Sequence, residues 1–321
     1  MRMGFYKSLS EKSKFFQHRK TVESIEELFS SLRQYQNEGY VFRGQSNALW
    51  KIRSSALRWW QDERCGRCCK VNDYLAFLDK ALQYAQKPEF PQLHPQCCFN
   101  NKLAWFGDHE KMGYLQHYGY PTPLVDFTHD FYVALYMATR NIKDAAKHFS
   151  VYMLNPKTEL DNEICSFEKL VADYAENDET LRYMTNFYKG ALGTANSGWC
   201  KLSCILIHKD SQLWCPNLAK ERIASQSGLF VYMNSDVLSL EEYFSRFKKW
   251  NENIIKGVSE DAEITALNTK PLLCIDIPCK YMGAISEIVK AEGYTDESMG
   301  LADNQRDMIA KSCFEAFVKT L

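Results

Sequence analysis

The sequence predicts an α+β fold in a single body of 321 residues. Apolar residues make up 45% and aromatics 14%, enough to bury a sizeable core rather than stay disordered. Short runs rich in β-branched and aromatic residues are interrupted irregularly by helical patterns, so a strict βαβ alternation is not supported. No internal repeat and no Gly/Ser- or Pro-rich linker divides the chain, which has only 15 glycines and 9 prolines.

Along the chain, Ser24-Ile25-Glu26-Glu27 has the spacing of a capping box, and Ile25, Leu28, Phe29 and Leu32 follow at helical intervals. A helix is expected from about Ile25 to Tyr35, leading into a short strand, Tyr40–Arg43. Tyr74, Phe77, Leu78 and Leu82 mark a second helix. Leu103, Phe106, Met112 and Leu115 mark a third, which Gly119 terminates. Pro121 and Pro123 forbid helix and leave a short extended segment up to Phe127. Phe131–Ala138 is apolar all round, as a buried helix must be. Strands are expected at 150–154, 203–207, 229–232 and 272–276, with helical patterns at about 164–175, 239–255, 280–291 and 303–319.

The 39 basic and 40 acidic residues leave a net charge of −1, which excludes a strongly basic nucleic-acid coat but not a local basic groove. The opening twenty residues carry charge and no apolar h-region, so no secretory signal is expected. The longest apolar stretch, Phe131–Ala138, is far short of the roughly 20 residues that span a bilayer. No membrane partner is therefore expected, and the 12 cysteines read as reduced thiols of a cytoplasmic protein.

Three segments carry more polar chemistry than scaffolding needs. In Phe42-Arg43-Gly44-Gln45, an arginine ends a strand beside a glycine where a ligand can approach the backbone closely, and its planar fork suits phosphate. A structural ion pair is the plainer alternative. In Gln116–Thr128, a histidine, two tyrosines, an aspartate and a threonine crowd a forced turn. Thr128 reads equally as an N-cap of the next helix, as do Asp126 and Asp130, and His117 as a helix C-terminal partner. In Glu221–Phe230, the Gln226 amide both donates and accepts beside Gly228; its alternative is to hold loop carbonyls.

In this order the three blocks resemble the signature of the FRG domain: Phe42-Arg43-Gly44-Gln45; Gln116-His117-Tyr118-Gly119 through Thr122, Asp126 and Thr128 to Ala134–Ala138; and Arg222, Gln226, Gly228 and Phe230. The resemblance spans about residues 20–305, its middle block being the most specific. FRG-domain proteins are bacterial and phage-associated, several lie in anti-phage or toxin–antitoxin loci, and some look like distant ADP-ribosyltransferases, one of them an mRNA-modifying toxin of similar size. The resemblance implies a split β-sheet core of short strands, NAD as substrate, RNA as acceptor and an antitoxin protein as partner. It implies that Arg43, Gly44, Gln45, Tyr118, Thr128 and Arg222 hold NAD, with His117, Asp126 and Gln226 nearest the chemistry. His117 is the expected base and Asp126 the runner-up. No Glu-x-Glu or Gln-x-Glu precedes the 229–232 strand, and Glu221, Asp296 and Glu297 fall elsewhere. A non-catalytic nucleic-acid-binding or adaptor module and an NAD glycohydrolase are the rivals.

Cys65, Cys68 and Cys69 followed by Cys97 and Cys98 suggest zinc, but adjacent cysteines share one ion poorly and no second C-x₂-C follows, so reduced thiols are preferred. Cationic and aromatic candidates for nucleic-acid contact are Lys12, Lys14, His18, Arg19 and Lys20 near the start, and Tyr243, Arg246, Phe247, Lys248, Lys249 and Trp250 later.

Overall fold

The computed structural model describes residues 4–18, 21–64, 71–93, 107–140, 146–155, 206–207, 222–233, 238–242, 272–302 and 305–321. Its strands are β1 (Gln17–His18), β2 (Val41–Gln45), β3 (Leu124–Thr128), β4 (His148–Leu154), β5 (Leu206–Ile207), β6 (Gly228–Tyr232) and β7 (Leu272–Pro278). They form one sheet in the order β1-β7-β4-β2-β3-β6-β5. Every neighbouring pair is antiparallel except β1 with β7. The α+β expectation holds. Of the strands, only β1 escaped the sequence reading, because two residues show no periodicity and pair only where the N-terminal segment reaches the edge of β7.

The helices are α1 (Leu9–Lys12), α2 (Ile25–Asn37), α3 (Ser55–Trp59), α4 (Val71–Ala85), α5 (Gly107–His117), α6 (Phe131–Thr139), α7 (Arg222–Ser225), α8 (Met282–Ala291) and α9 (Gln305–Val318). As the capping-box spacing required, the Ser24 hydroxyl accepts from the Glu27 N–H at 3.1 Å. Of the three residues weighed as the cap of α6, Asp130 takes the role: its Oδ1 accepts from the Tyr132 N–H at 2.8 Å. The short helix α3 went unread, although Ser54 caps it by accepting from the Leu57 N–H at 3.2 Å. The helix expected at 164–175 and most of that at 239–255 lie outside the described residues.

Apolar side chains gather in three places. On one face of the sheet Phe42, Phe149, Val151 and Ile275 pack with α2, α6 and α8. On the other, Val41, Val125, Phe127, Tyr152 and Val231 pack with Tyr6, Phe16 and Ile52. A third cluster joins α3, α4, α5 and α9 through Leu57, Trp60, Phe77, Tyr120, Phe314 and Phe317.

The second face holds charge as well. Lys12, read from sequence as a surface cation, is 0% exposed, and its ammonium donates to Asp276 Oδ1 at 2.5 Å and Ser150 Oγ at 2.8 Å. Burial alone pushes the Lys12 ammonium down, but Tyr152, Cys274 and Asp276 around it outweigh that and hold it above its ordinary value. Nearby, the buried Glu241 accepts from the Tyr6 hydroxyl and from the Ile52 N–H at 3.2 Å.

Loss of hydration raises the Glu241 carboxyl to about 7 from 4.5, more than its hydrogen bonds lower it. The folded chain thus keeps a proton that the unfolded chain releases, and this contribution is complete below about pH 4.5 and lost as pH climbs to about 7. Urea unfolding should therefore show stability falling by up to about 3 kcal/mol across that window in the native chain. Glu241→Gln should flatten the fall, and an equally steep profile in the variant would dismiss this origin.

Candidate functional site

The sheet is continuous on both sides of one weak joint. β2 pairs with β4 at every position from Val41 to Gln45, and β3 pairs with β6 at every position from Leu124 to Thr128. Between β2 and β3 there is a single pair, Phe42 with Thr128, beyond which the two ladders part. Where ladder hydrogen bonds stop, main-chain groups need other partners. Arg43 supplies one: its Nη1 donates to the Asp126 carbonyl oxygen at 2.8 Å and lies 3.7 Å from the Asp126 carboxylate.

That carboxylate is fixed from the other side, because the Gln116 amide donates to Asp126 Oδ2 at 2.9 Å. Gln116 Oε1 accepts in turn from Thr122 Oγ1 at 2.5 Å and Ser55 Oγ at 3.2 Å. A polar chain therefore runs from β2 across the parting to β3, α5 and α3. Arg43 was anticipated from sequence, as were Gln116, Thr122 and Asp126 as members of the Gln116–Thr128 block; Ser55 was not.

Two further guanidinium groups, Arg53 and Arg58, belong to the same region, Arg58 feeling the charges of both Arg43 and Arg53. Arg53 is buried and grips Asp62, with Nη1 at 3.2 Å and Nη2 at 3.3 Å from its two oxygens, and donates to Gln61 at 2.9 Å. Arg58, on α3, retains exposed surface yet has its charge pushed below the ordinary arginine range, first by lost hydration and then by Arg43 and Arg53, with Asp126 and Asp62 opposing.

The other residues proposed for cofactor binding fall into two groups. Arg43 and Gln45 leave the same face of β2, and Gln45 is only 8% exposed. Thr128 lies opposite Phe42, hence on the other face. Its hydroxyl donates to the Gln226 carbonyl at 2.7 Å and accepts from the Asp130 N–H at 3.0 Å. The Gln226 amide donates to the Met299 carbonyl at 3.0 Å, the loop-holding role weighed for it from sequence. Thr128 and Gln226 are thus adjacent, but their polar groups hold protein. The segment 294–300 closes over them, tied by Tyr294 to Asp130 and by Arg222 to the Gly300 carbonyl at 2.6 Å.

Three expectations are corrected. Gly44 was expected to admit a ligand, but a Cβ built on it falls 1.8 Å from the Ala134 carbonyl oxygen and 2.8 Å from the Ala138 nitrogen. The close approach is that of α6, not of a ligand. Gly44→Ala should consequently destabilise by about 3 kcal/mol, read as a lower urea midpoint, since two backbones must separate; an unchanged midpoint would refute the contact.

Arg222 does not face a ligand: it is 7% exposed and donates to the His117 carbonyl at 2.7 Å and to both Asp307 oxygens, at 2.7 and 3.2 Å. Tyr118 is clamped between guanidinium groups, with Arg222 at 5.0 Å and Arg306 at 5.2 Å from its ring centre, and its hydroxyl accepts from Arg306 at 2.6 Å. Both join α9 to the site loop. His117 ends α5 with its ring 5.1 Å from that of Phe230.

Among the described residues no group of three or more His, Cys, Asp or Glu is placed to hold a metal ion, and no helix is long and apolar enough to cross a membrane. Cys65, Cys68, Cys69, Cys97, Cys98, Arg19, Lys20 and residues 243–250 lie outside the described residues.

Fold and site together define an α+β protein whose seven-stranded sheet is joined between β2 and β3 by a single residue pair beside Arg43. Within it, residues 38–147 match the family model of the FRG domain. The match takes in Arg43, Arg58, His117, Asp126 and Thr128, and stops short of the Arg222–Phe230 block. No curated protein and no solved structure matches the chain.

Proposed function

We propose that the chain is an NAD-consuming mono-ADP-ribosyltransferase, a toxin of phage defence that modifies RNA. The observation that carries this reading is the parting of β2 from β3 beyond Phe42 and Thr128, with the Arg43 guanidinium set across the opening. A dinucleotide laid in such an opening meets backbone edges on both sides and a cation in the middle, and the FRG match supports the assignment.

In the proposed reaction the bond between the nicotinamide nitrogen and the ribose anomeric carbon breaks, nicotinamide leaves, and an acceptor oxygen or nitrogen of RNA takes the carbon. Positive charge grows on the sugar in the transition state, as in other glycosidic cleavages. Arg43 would hold the phosphate side of NAD. Asp126, half-exposed and oriented by Gln116, stands where it can face the cationic sugar or receive the acceptor proton, and His117 is the second base candidate. Incubating the purified chain with NAD labelled in the adenine and with RNA, DNA or lysate tests the reading. Label is expected on RNA with release of nicotinamide; free ADP-ribose alone would make it a glycohydrolase.

A second reading, a non-catalytic adaptor, is favoured by one observation: the Thr128 hydroxyl and the Gln226 amide are both engaged within the protein. The same incubation separates it, since an adaptor releases no nicotinamide. An antitoxin protein as partner belongs to the first reading alone.

A further inference from the structure

We propose that Thr122 is a positioning residue for Asp126: it fixes the Gln116 amide so that an N–H, never the carbonyl oxygen, meets the Asp126 carboxylate and leaves Oδ1 as the open acceptor. The use of that acceptor in ADP-ribosyl transfer rests on the function proposed above; the orientation does not.

Donors and acceptors set the direction of this chain from its buried end. Thr122 is 3% exposed, and its Oγ1 accepts from the Leu124 N–H at 3.2 Å. The hydroxyl proton is left to point at Gln116 Oε1, 2.5 Å away. Ser55 Oγ, which accepts from the Thr122 N–H at 3.0 Å, stands 3.2 Å from the same oxygen as a second donor. With its oxygen engaged by hydroxyls, the amide has only its NH₂ group to offer Asp126, and Nε2 lies 2.9 Å from Oδ2.

Reversing the amide would fail at both ends at once. Its oxygen would stand against a carboxylate oxygen with no hydrogen between them, and the buried Thr122 hydroxyl would lose its acceptor. Bonds directed this way polarise one another, so the last member is held more firmly than by one isolated contact.

That last member is Asp126, the single exposed position of β3, with a side chain 52% exposed. Its Oδ2 carries the Gln116 bond and lies 3.7 Å from Arg43 Nη1, whereas among the described residues none donates a hydrogen bond to Oδ1. Arg43 also holds the main-chain oxygen of the same residue. Backbone and one carboxylate oxygen are thus fixed, and the other oxygen is left for a ligand. In the proposed transfer Oδ1 takes the proton of the acceptor hydroxyl or amine as that atom bonds the anomeric carbon and nicotinamide departs.

The orientation is tested in the full-length chain without any ligand by Gln116→Glu, which is isosteric. One introduced oxygen keeps the hydroxyls and the other meets Asp126 Oδ2, so the introduced carboxyl should hold a proton that the unfolded chain releases. The urea midpoint of this variant should lie close to the native one at about pH 4 and fall progressively below it by about pH 8. A gap between the two midpoints that does not change with pH overturns the proposal. The role in transfer is tested by Thr122→Val, which should cut kcat about tenfold or more with little change in the KM for NAD. Thr122→Ser, which returns the hydroxyl, should recover most of the loss. Native kcat in Thr122→Val, or a loss that Thr122→Ser does not recover, removes the positioning role. A native chain that turns over no NAD removes the function proposed above, and the pH profile of the midpoints still decides the orientation.

Discussion

Arg43→Ala should abolish nicotinamide release, lowering turnover on the order of 10²–10³-fold while the chain stays folded. Both halves follow from its surroundings. Its guanidinium contributes one hydrogen bond to the fold, to the Asp126 carbonyl, worth about 1.5 kcal/mol as a charge-assisted bond, and a half-exposed approach to the Asp126 carboxylate at 3.7 Å. Removing it also relieves the repulsion with Arg58, so the stability change should be small. The catalytic loss should be large because the group stands at the parting of the sheet with donors to spare. Arg43→Lys should stay far below native activity, for an ammonium cannot reproduce two parallel bonds to an oxyanion. Turnover near the native rate in Arg43→Ala, with an unchanged melting profile, would take Arg43 out of the site. If the chain acts as a toxin, Arg43→Ala should also relieve growth arrest on expression.

The largest loss of stability is expected from Lys12→Met. This substitution keeps most of the side-chain volume and deletes a buried positive charge whose partner, Asp276, is itself only 2% exposed. A buried carboxylate that loses its counter-ion costs about 3–5 kcal/mol. Ser150 Oγ, donating to Asp276 Oδ1 at 2.7 Å, and the Cys274 thiol at 3.4 Å only partly compensate. Adding Asp276→Asn to Lys12→Met should recover much of the loss, because the uncompensated charge and not the missing contact is what hurts. Denaturant midpoints of the single and double variants decide this: a single variant as stable as the native chain would show that the pair contributes nothing. The same ion pair clasps α1 to β7, the strand on which β1 pairs, so the variant should also expose the N-terminal segment to protease.

Local pattern determined much of this chain. Ile25, Leu28, Phe29 and Leu32 repeat at the helical period, and the strand runs at 150–154 and 272–276 carry alternating or continuous apolar residues; each yields its element with no long-range information. Arg43 and Asp126 stood out in the sequence as well, although Arg43, expected to end its strand, lies in the middle of β2 because the pairing with β4 continues through Gly44 and Gln45.

Tertiary structure decided the roles. Gly44 in the sequence permits either a ligand or a helix, and only the path of α6 assigns it to the helix. Arg222 and Tyr118 resemble ligand-binding residues until α9, far along the chain, supplies Asp307 and Arg306 to engage them. Lys12 resembles a surface cation until β7 brings Asp276 against it, 264 positions later. Periodicity reports which face of an element is buried, whereas the partner of a polar group is a fact about distant segments. A single sequence therefore determined the elements and the chemistry available, and the fold determined which partners those charges meet, Asp126 for Arg43, Asp307 for Arg222 and Asp276 for Lys12.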